Sequence, residues 1–224
     1  MRFSIIIPTH NEAFHIVSAL KRLRQISPAG SVEVIVVDGA STDDTAAQAR
    51  RWADQVLSHE RADQGEQLHL GAQKASGNFL LFLRAGSQLP GGWRTALERF
   101  WLSPGHESAS AAVFRADFGS SLSGRLAAHL CNASSRWRGR AFLEQGICVP
   151  AEIYRHAEGF HPGEGLEDFA LCGRLRPLGR LALLPDAVRI SAGALQRHGI
   201  FGALARRLWR EMLYHGPSHR PTAA

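Results

Sequence analysis

Cysteine is scarce in this chain. Three occur in 224 residues, Cys131, Cys148 and Cys172, and no two form a C-x-x-C pair. Such spacing argues against a disulfide framework or a zinc site and suits a reducing, cytoplasmic setting. Long apolar runs are missing too: none approaches the roughly 20 residues of a membrane span. The start does not read as a signal peptide, because Met1-Arg2 leads straight into a strand-like segment that polar residues end from Thr9. No internal repeat and no low-complexity linker interrupts the chain. Where a dinucleotide oxidoreductase needs G-x-G-x-x-G after its first strand, Pro8-Thr9-His10-Asn11 has no glycine. The phosphate-binding G-x-x-x-x-G-K-[ST] is absent as well. His10 and His15 do not make H-E-x-x-H, so a zinc hydrolase has no ligand set.

What is present suits one α/β domain. Hydrophobic residues make up 45%, enough for a packed core. Lys+Arg number 26 against 20 Asp+Glu, a net +6 compatible with phosphorylated ligands, an anionic membrane surface or nucleic acid. Nucleic-acid binding would rest only on this charge and on the arginines of residues 200–213, which a solvated helix face explains better. Peripheral contact of that stretch with an anionic membrane stays open.

Residues 32–45, VEVIVVDGASTDDT, organise the first half. Val34 to Val37 form a β-branched apolar run of the kind buried on both faces of a parallel sheet. It stops at Asp38, Gly39 permits a sharp turn, and Ser41 to Thr45 supply cap chemistry for a helix that runs to about Ala53. Asp38 and Asp43 then stand at a strand tip, where open α/β sheets bind ligands, or serve only as caps and turn formers. Residues 3–7 read as the first strand, with Thr9 and Glu12 as a capping box for the next helix. Residues 55–58 read as a strand and 67–76 as a helix stopped by Gly77. Residues 78–83 form another buried strand, and a helix starts near Trp93. Alternating β and α predicts a doubly wound, mostly parallel sheet with helices on both faces. Further on, strands are expected at 111–118, 146–149, 181–184 and 188–190. Helices are expected at 122–137, after Glu167-Asp168 to near Gly179, and at 200–213. The domain thus spans 1–215, with halves 1–100 and 101–195, a C-terminal amphipathic helix at 196–215 and a disordered tail at 216–224.

Several motifs together resemble the inverting nucleotide-sugar glycosyltransferases of family 2, which share a single Rossmann-like GT-A domain. Residues 4–12, SIIIPTHNE, match its S-I-I-I-P-T-x-N-E. Residues 36–45, VVDGASTDDT, are similar to V-V-D-G-x-S-T-D-x-T, and 75–83, ASGNFLLFL, to A-x-G-(D)-x-L-L-F-L. Gly159-Phe160, Glu167-Asp168 and Leu175 resemble G-G-F…E-D…L. Leu178-Gly179-Arg180 and Glu144-Gln145-Gly146 point further to a small subgroup linked to arsenosugar-type biosynthesis. The resemblance implies a nucleotide-sugar donor, of which a UDP-linked sugar is one option, and an unnamed acceptor. It places Pro8, Asn11, Glu12, Asp38 and Asp43 at the nucleotide, Asp168 with Glu167 at catalysis, and Glu144 and Gln145 at the acceptor. Asp168 would take the acceptor proton, and a helix N-terminus keeps such a carboxylate ionised. Glu167-Asp168 also reads simply as a helix cap.

One departure stands out. Where the family ends its strand in an acidic motif that holds Mg²⁺ or Mn²⁺, this chain has Arg84-Ala85-Gly86-Ser87. No metal ligand carries over. Either Arg84 meets the diphosphate in a metal-independent transferase, or the chain binds a nucleotide or glycan without turnover, or Arg84 is an ordinary surface residue.

Overall fold

A computed structural model describes residues 1–164 and 166–190. Eight strands form one sheet. In chain order the elements are β1 (Phe3–Thr9), α1 (Ala13–Ile26), β2 (Glu33–Gly39), α2 (Thr45–Ala49), β3 (Gln55–His59), α3 (Gln64–Lys74), β4 (Phe79–Phe82), β5 (Ser87–Gln88), α4 (Trp93–Leu102), β6 (Ala109–Asp117), α5 (Leu122–Arg138), β7 (Ile147–Pro150), α6 (Ala151–His156), α7 (Glu167–Leu175) and β8 (Arg180–Ile190). The strand order is β3-β2-β1-β4-β7-β6-β8-β5.

The first four large strands are parallel, as their continuous apolar runs require. Ile5 to Ile7 and Val34 to Val37 are buried; Ile5, Ile7, Val34 and Val36 join one core, and Ile6 joins a second. Helix α3 lies close on β1 because Gly71 leaves room: a Cβ there would sit 2.5 Å from Ile6 Cγ2. Beyond β4 the sheet changes character. Strand β7 is antiparallel to both β4 and β6, β8 runs parallel to β6, and β5 closes the edge antiparallel to β8. The architecture is the expected GT-A-like, Rossmann-like one, with a mixed second half.

Several local expectations are corrected. Thr9 and Glu12 form no capping box: Thr9 stays in β1, and α1 has no side-chain cap of its own. Its first N–H groups are met from the loop after β2, where Asp43 Oδ2 accepts from Ala13 N at 3.3 Å and Thr45 Oγ1 accepts from Glu12 N at 2.8 Å. Helix α2 ends at Ala49, four residues short of the expected Ala53. The stop of α3 is Ala75, not Gly77; Gly77 instead lets the chain pass β1, since a Cβ there would meet Ser4 Oγ at 2.6 Å. Residues 181–184 and 188–190 belong to one 11-residue strand, β8. Cys131, Cys148 and Cys172 are buried and unpaired with one another. The expected helix at 200–213 and the tail lie outside the described residues.

Candidate functional site

Parallel strands leave their last carbonyls unpaired at the C-terminal edge, and the site begins with how these are met. Gln67, buried on the first turns of α3, donates from Nε2 to Thr9 O at 2.8 Å and to Val37 O at 2.7 Å. That one amide ties the tips of β1 and β2 to α3. Asp38, paired in register with Thr9, holds the following loop. Its Oδ1 accepts from Ser41 Oγ at 2.5 Å and Thr9 Oγ1 at 3.4 Å, and its Oδ2 accepts from Ser41 N at 3.0 Å. With 5% exposure, Asp38 shapes the loop from beneath.

The two loops interlock. Asn11 N donates to Ser41 Oγ at 2.9 Å, and Asn11 Oδ1 accepts from Thr42 N at 2.8 Å. Asn11 and Ala40 both hold positive φ, 52° and 55°, a strained backbone that the interlock maintains. Asp43 accepts from the Thr45 hydroxyl and main-chain N–H. The Thr45 hydroxyl, first among several donors, holds the Asp43 carboxyl below its ordinary value.

Pro8, Glu12 and Arg84 line one cavity of about 150 Å³ together with Thr9, His10, Gln64 and Gln67. Its volume is below the roughly 300–1,000 Å³ of a complete ligand pocket, so by itself it could enclose only part of one. Arg84 follows β4 and reaches both ways: its Nη2 donates to Gln64 Oε1, and its Nε lies 3.5 Å from Glu144 Oε1 without a hydrogen-bond partner. Glu144 sits in the short 3₁₀ turn Leu143–Gln145. The preceding residue, Leu143, donates its N–H to Asp168 Oδ2 at 3.1 Å. Contacts thus run from Asp38 through Thr9 to Gln67, and from Gln64 through Arg84 to Glu144, whose neighbour Leu143 meets Asp168; α3 carries both Gln64 and Gln67.

The remaining candidates divide. Gln145 is fully buried. Its Oε1 accepts from Ser135 Oγ and Phe142 N, both at 3.0 Å, and its Nε2 donates to Phe114 O at 3.0 Å. The expected acceptor contact is corrected for Gln145, because its polar atoms are spent inside the fold. Asp168 is fully buried at the start of α7, with Oδ1 accepting from Phe169 N at 3.0 Å. Glu167 beside it is partly exposed. It packs towards the start of α3, where a Cβ on Gly65 would lie 3.2 Å from Glu167 Cγ. Near Asp168, burial pushes the Cys172 thiol up to about 12, so it is inert.

Sequence reasoning missed Gln64 and Gln67. Their only signal was position, at the first turn of a helix facing the strand tips. The family's metal position fares poorly as a ligand set. Residues 84–87 offer one side-chain oxygen, the buried Ser87 hydroxyl, which has no hydrogen-bond partner. Hard dications need several oxygen ligands. Among the described residues no three His, Cys, Asp or Glu are grouped to hold a metal. These residues do not fit the ion.

Known proteins match this chain in sequence and in fold. A PGL/p-HBAD biosynthesis glycosyltransferase of Mycobacterium bovis (strain BCG / Pasteur 1173P2) is 37% identical over 93 residues, 39% of this chain and 36% of that protein. The poly(ribitol-phosphate) beta-N-acetylglucosaminyltransferase TarS of Staphylococcus aureus (strain Mu50 / ATCC 700699) is 31% identical over 90 residues, 37% of this chain and 16% of TarS. This chain thus spans about a third or less of these relatives. Among solved structures, the Pyrobaculum calidifontis mannosyltransferase PcManGT, in complex with GDP-Man and Mn²⁺, superposes with a TM-score of 0.68 at 20% identity, covering 93% of this chain and 64% of that one. TarS 1-349 in complex with UDP-GlcNAc gives 0.63 at 18% identity, covering 85% and 58%. Likeness at that identity speaks for the fold. Residues 4–156 match the model of glycosyl transferase family 2, and with the interlocked strand-tip loops inside that span, the chain belongs to this family.

Proposed function

We propose that this chain transfers a sugar from a nucleoside diphosphate donor to an acceptor hydroxyl with inversion, and that Arg84 meets the diphosphate charge. The observation that carries the reading is the placement of Pro8, Glu12 and Arg84 around one cavity at the tips of adjacent parallel strands. Asn11, Asp38 and Asp43 hold the two loops above it. The nucleoside lies against those loops, and the donor's diphosphate lies at Arg84. Guanidinium is always charged and matches phosphate geometry in a bidentate way. In an inverting transfer, the acceptor oxygen bonds to the anomeric carbon as the bond to the diphosphate breaks, and a carboxylate takes the hydroxyl proton.

Asp168 is the base in this reading. Two main-chain N–H groups orient it, and the acceptor reaches it only when the residues that now seal it separate. Glu167 and Glu144, both nearer the surface, contact the acceptor. The donor is of the GDP- or UDP-sugar type named for the structural relatives. Placement in the arsenosugar-linked subgroup rests on the sequences at 144–146 and 178–180. A second reading, binding without turnover, is favoured by the complete burial of Asp168 and the lost metal acid.

A thermal-shift panel of nucleoside diphosphates and their sugars, followed by donor hydrolysis with Mn²⁺ or EDTA, separates these. Stabilisation and EDTA-resistant turnover, with Arg84→Ala lowering kcat/KM on the order of 10²–10³-fold, are expected. Turnover abolished by EDTA, or intact in Arg84→Ala, sinks the charge-neutralising role. Stabilisation without turnover establishes the binding reading, and no response to any nucleotide removes both.

A further inference from the structure

Helix α5 is built inside out. Its buried face carries the small or polar residues Gly124, Ala127, Cys131, Ser134 and Ser135. Its outward face carries Leu122, Leu126 and Leu130, which are 85%, 48% and 39% exposed, and Trp137 at 78%. Intervals of four, four and seven residues align these side chains in one stripe along the helix. Rotation to bury them is blocked. Asn132 grips β6 with both amide atoms, accepting from Ala116 N at 2.8 Å and donating to Ala116 O at 3.2 Å, and Ser135 is bonded to buried Gln145.

Charge says what covers the stripe. Arg125, His129 and Arg136 are exposed along one side of it, and α5 contains no Asp or Glu. Two clefts open at its C-terminal end. One of about 490 Å³ is lined by Arg138, Arg140, Arg174 and Arg176, with Glu158 its one acidic lining residue. The other, of about 340 Å³, adds Arg136 and Arg180 and has no acidic lining residue. Arg174 is paired with Glu164, and Arg138 and Arg140 also have partners, so the exposed Arg125 and Arg136 carry the charge that bears on an occupant. A second copy in a two-fold contact would set Arg125 and Arg136 against their own mates, a like-charge arrangement. Residues 191–224 carry five arginines and one glutamate, so their charge opposes docking here as well.

We infer that α5 is a membrane-docking helix: it lies in the interface of an anionic bilayer with its leucine stripe and Trp137 among the acyl chains and its arginines at the lipid phosphates. An apolar stripe flanked by cations with an aromatic at one end is the pattern of interfacial helices. Phosphate groups of the lipid suit the arginine-lined clefts.

The test uses the full-length chain with phosphatidylcholine vesicles, with and without phosphatidylglycerol, in a flotation assay. Binding to the anionic vesicles that weakens as salt rises is expected. Leu126→Glu with Leu130→Glu lowers the partition coefficient by roughly tenfold or more, each half-exposed leucine contributing about threefold or more. Circular dichroism and the nucleotide thermal shift stay unchanged in that variant. If the double variant does not fold, Leu122→Glu, at the most exposed position, replaces it. Brominated acyl chains quench the wild-type fluorescence, and Trp137→Phe removes most of that quenching. Three results overturn the inference: no binding at low salt, leucine variants that bind as well as the wild type, or a dimer that the leucine variants dissociate while vesicle binding is unaffected. The last outcome would assign the stripe to a second copy.

Discussion

Replacing Gln145 with alanine takes a hydrogen bond from three groups at once: Phe142 N, Phe114 O and the Ser135 hydroxyl, which keeps Cys131 O at 3.1 Å. Each is buried, and unmade buried hydrogen bonds plus the cavity cost about 2–4 kcal/mol. Urea unfolding should show that loss, whereas Glu144→Gln next door should unfold like the wild type and change activity instead. The two residues look alike in sequence, as a polar pair before a strand. Only the direction of the 3₁₀ turn sends one into the core and the other to Arg84, and no local pattern encodes that direction. Asp38 was legible as a strand-tip carboxylate, but its near-complete use by Ser41 and Thr9 was not. Asp43 gives a pH test. Its hydrogen bonds, with the Thr45 hydroxyl foremost, lower its folded pKa below the ordinary 3.8. A carboxylate depressed on folding contributes stability that is complete above its unfolded value and lost as pH falls through the folded one. The stability difference between wild type and Asp43→Asn should therefore be constant near neutrality and shrink below about pH 4. A difference that grows on acidification contradicts that assignment.

Among the elements, α3 links the two sides of the site. Its Asp63 cap accepts from Glu66 N at 2.9 Å and also from Gly163 N at 3.3 Å, so the helix start holds the segment that leads into α7. Gly65 lets these parts meet, since a Cβ would come within 2.7 Å of His161 O, a main-chain atom with little freedom to yield. Gly65→Ala should cost roughly 1–3 kcal/mol in stability and lower kcat more than it changes nucleotide affinity. Equal activity in the variant would show that α7 is positioned by something else. Element identity was readable wherever strands were buried on both faces, because apolar runs such as VIVV and NFLLFL admit few alternatives. It failed at β8, where Pro185-Asp186 reads as a break. The pairing with β6 shifts register between Val113 and Arg115, opposite Leu183 and Ala187, and that irregularity absorbs the proline. The capping box at Thr9 failed for a related reason: sheet pairing extended β1 through Thr9, and a neighbouring loop supplied the helix N-terminus.

Across the whole molecule, the sheet joins a parallel half to a mixed half at the β4–β7 pairing. Arg84 belongs to the first half and Glu144 to the second, and their 3.5 Å approach crosses the seam. In the proposed reading a diphosphate at Arg84 competes with Glu144 for the same guanidinium, so ligand binding at β1, β2 and β4 should be felt across the seam. Hydrogen exchange tests this directly. At a nucleotide concentration of about 100 times Kd, linkage adds roughly 2.7 kcal/mol to the folded state, enough to slow exchange from any opening that releases the ligand. Protection is expected at residues 10–13 and 40–45, which form the loops, and also at 142–145 and 168–170, whose N–H groups organise the Glu144 turn and the Asp168 carboxylate. In Glu144→Gln the competing charge is gone, so nucleotide affinity should rise by a few fold, on the scale of about 1 kcal/mol for a partly exposed ion pair. Protection at 142–145 should then fall while that of the loops persists. Protection confined to the first half in the wild type would mean that Arg84 reports to its own strand alone, and that acceptor-side chemistry is set independently of the donor.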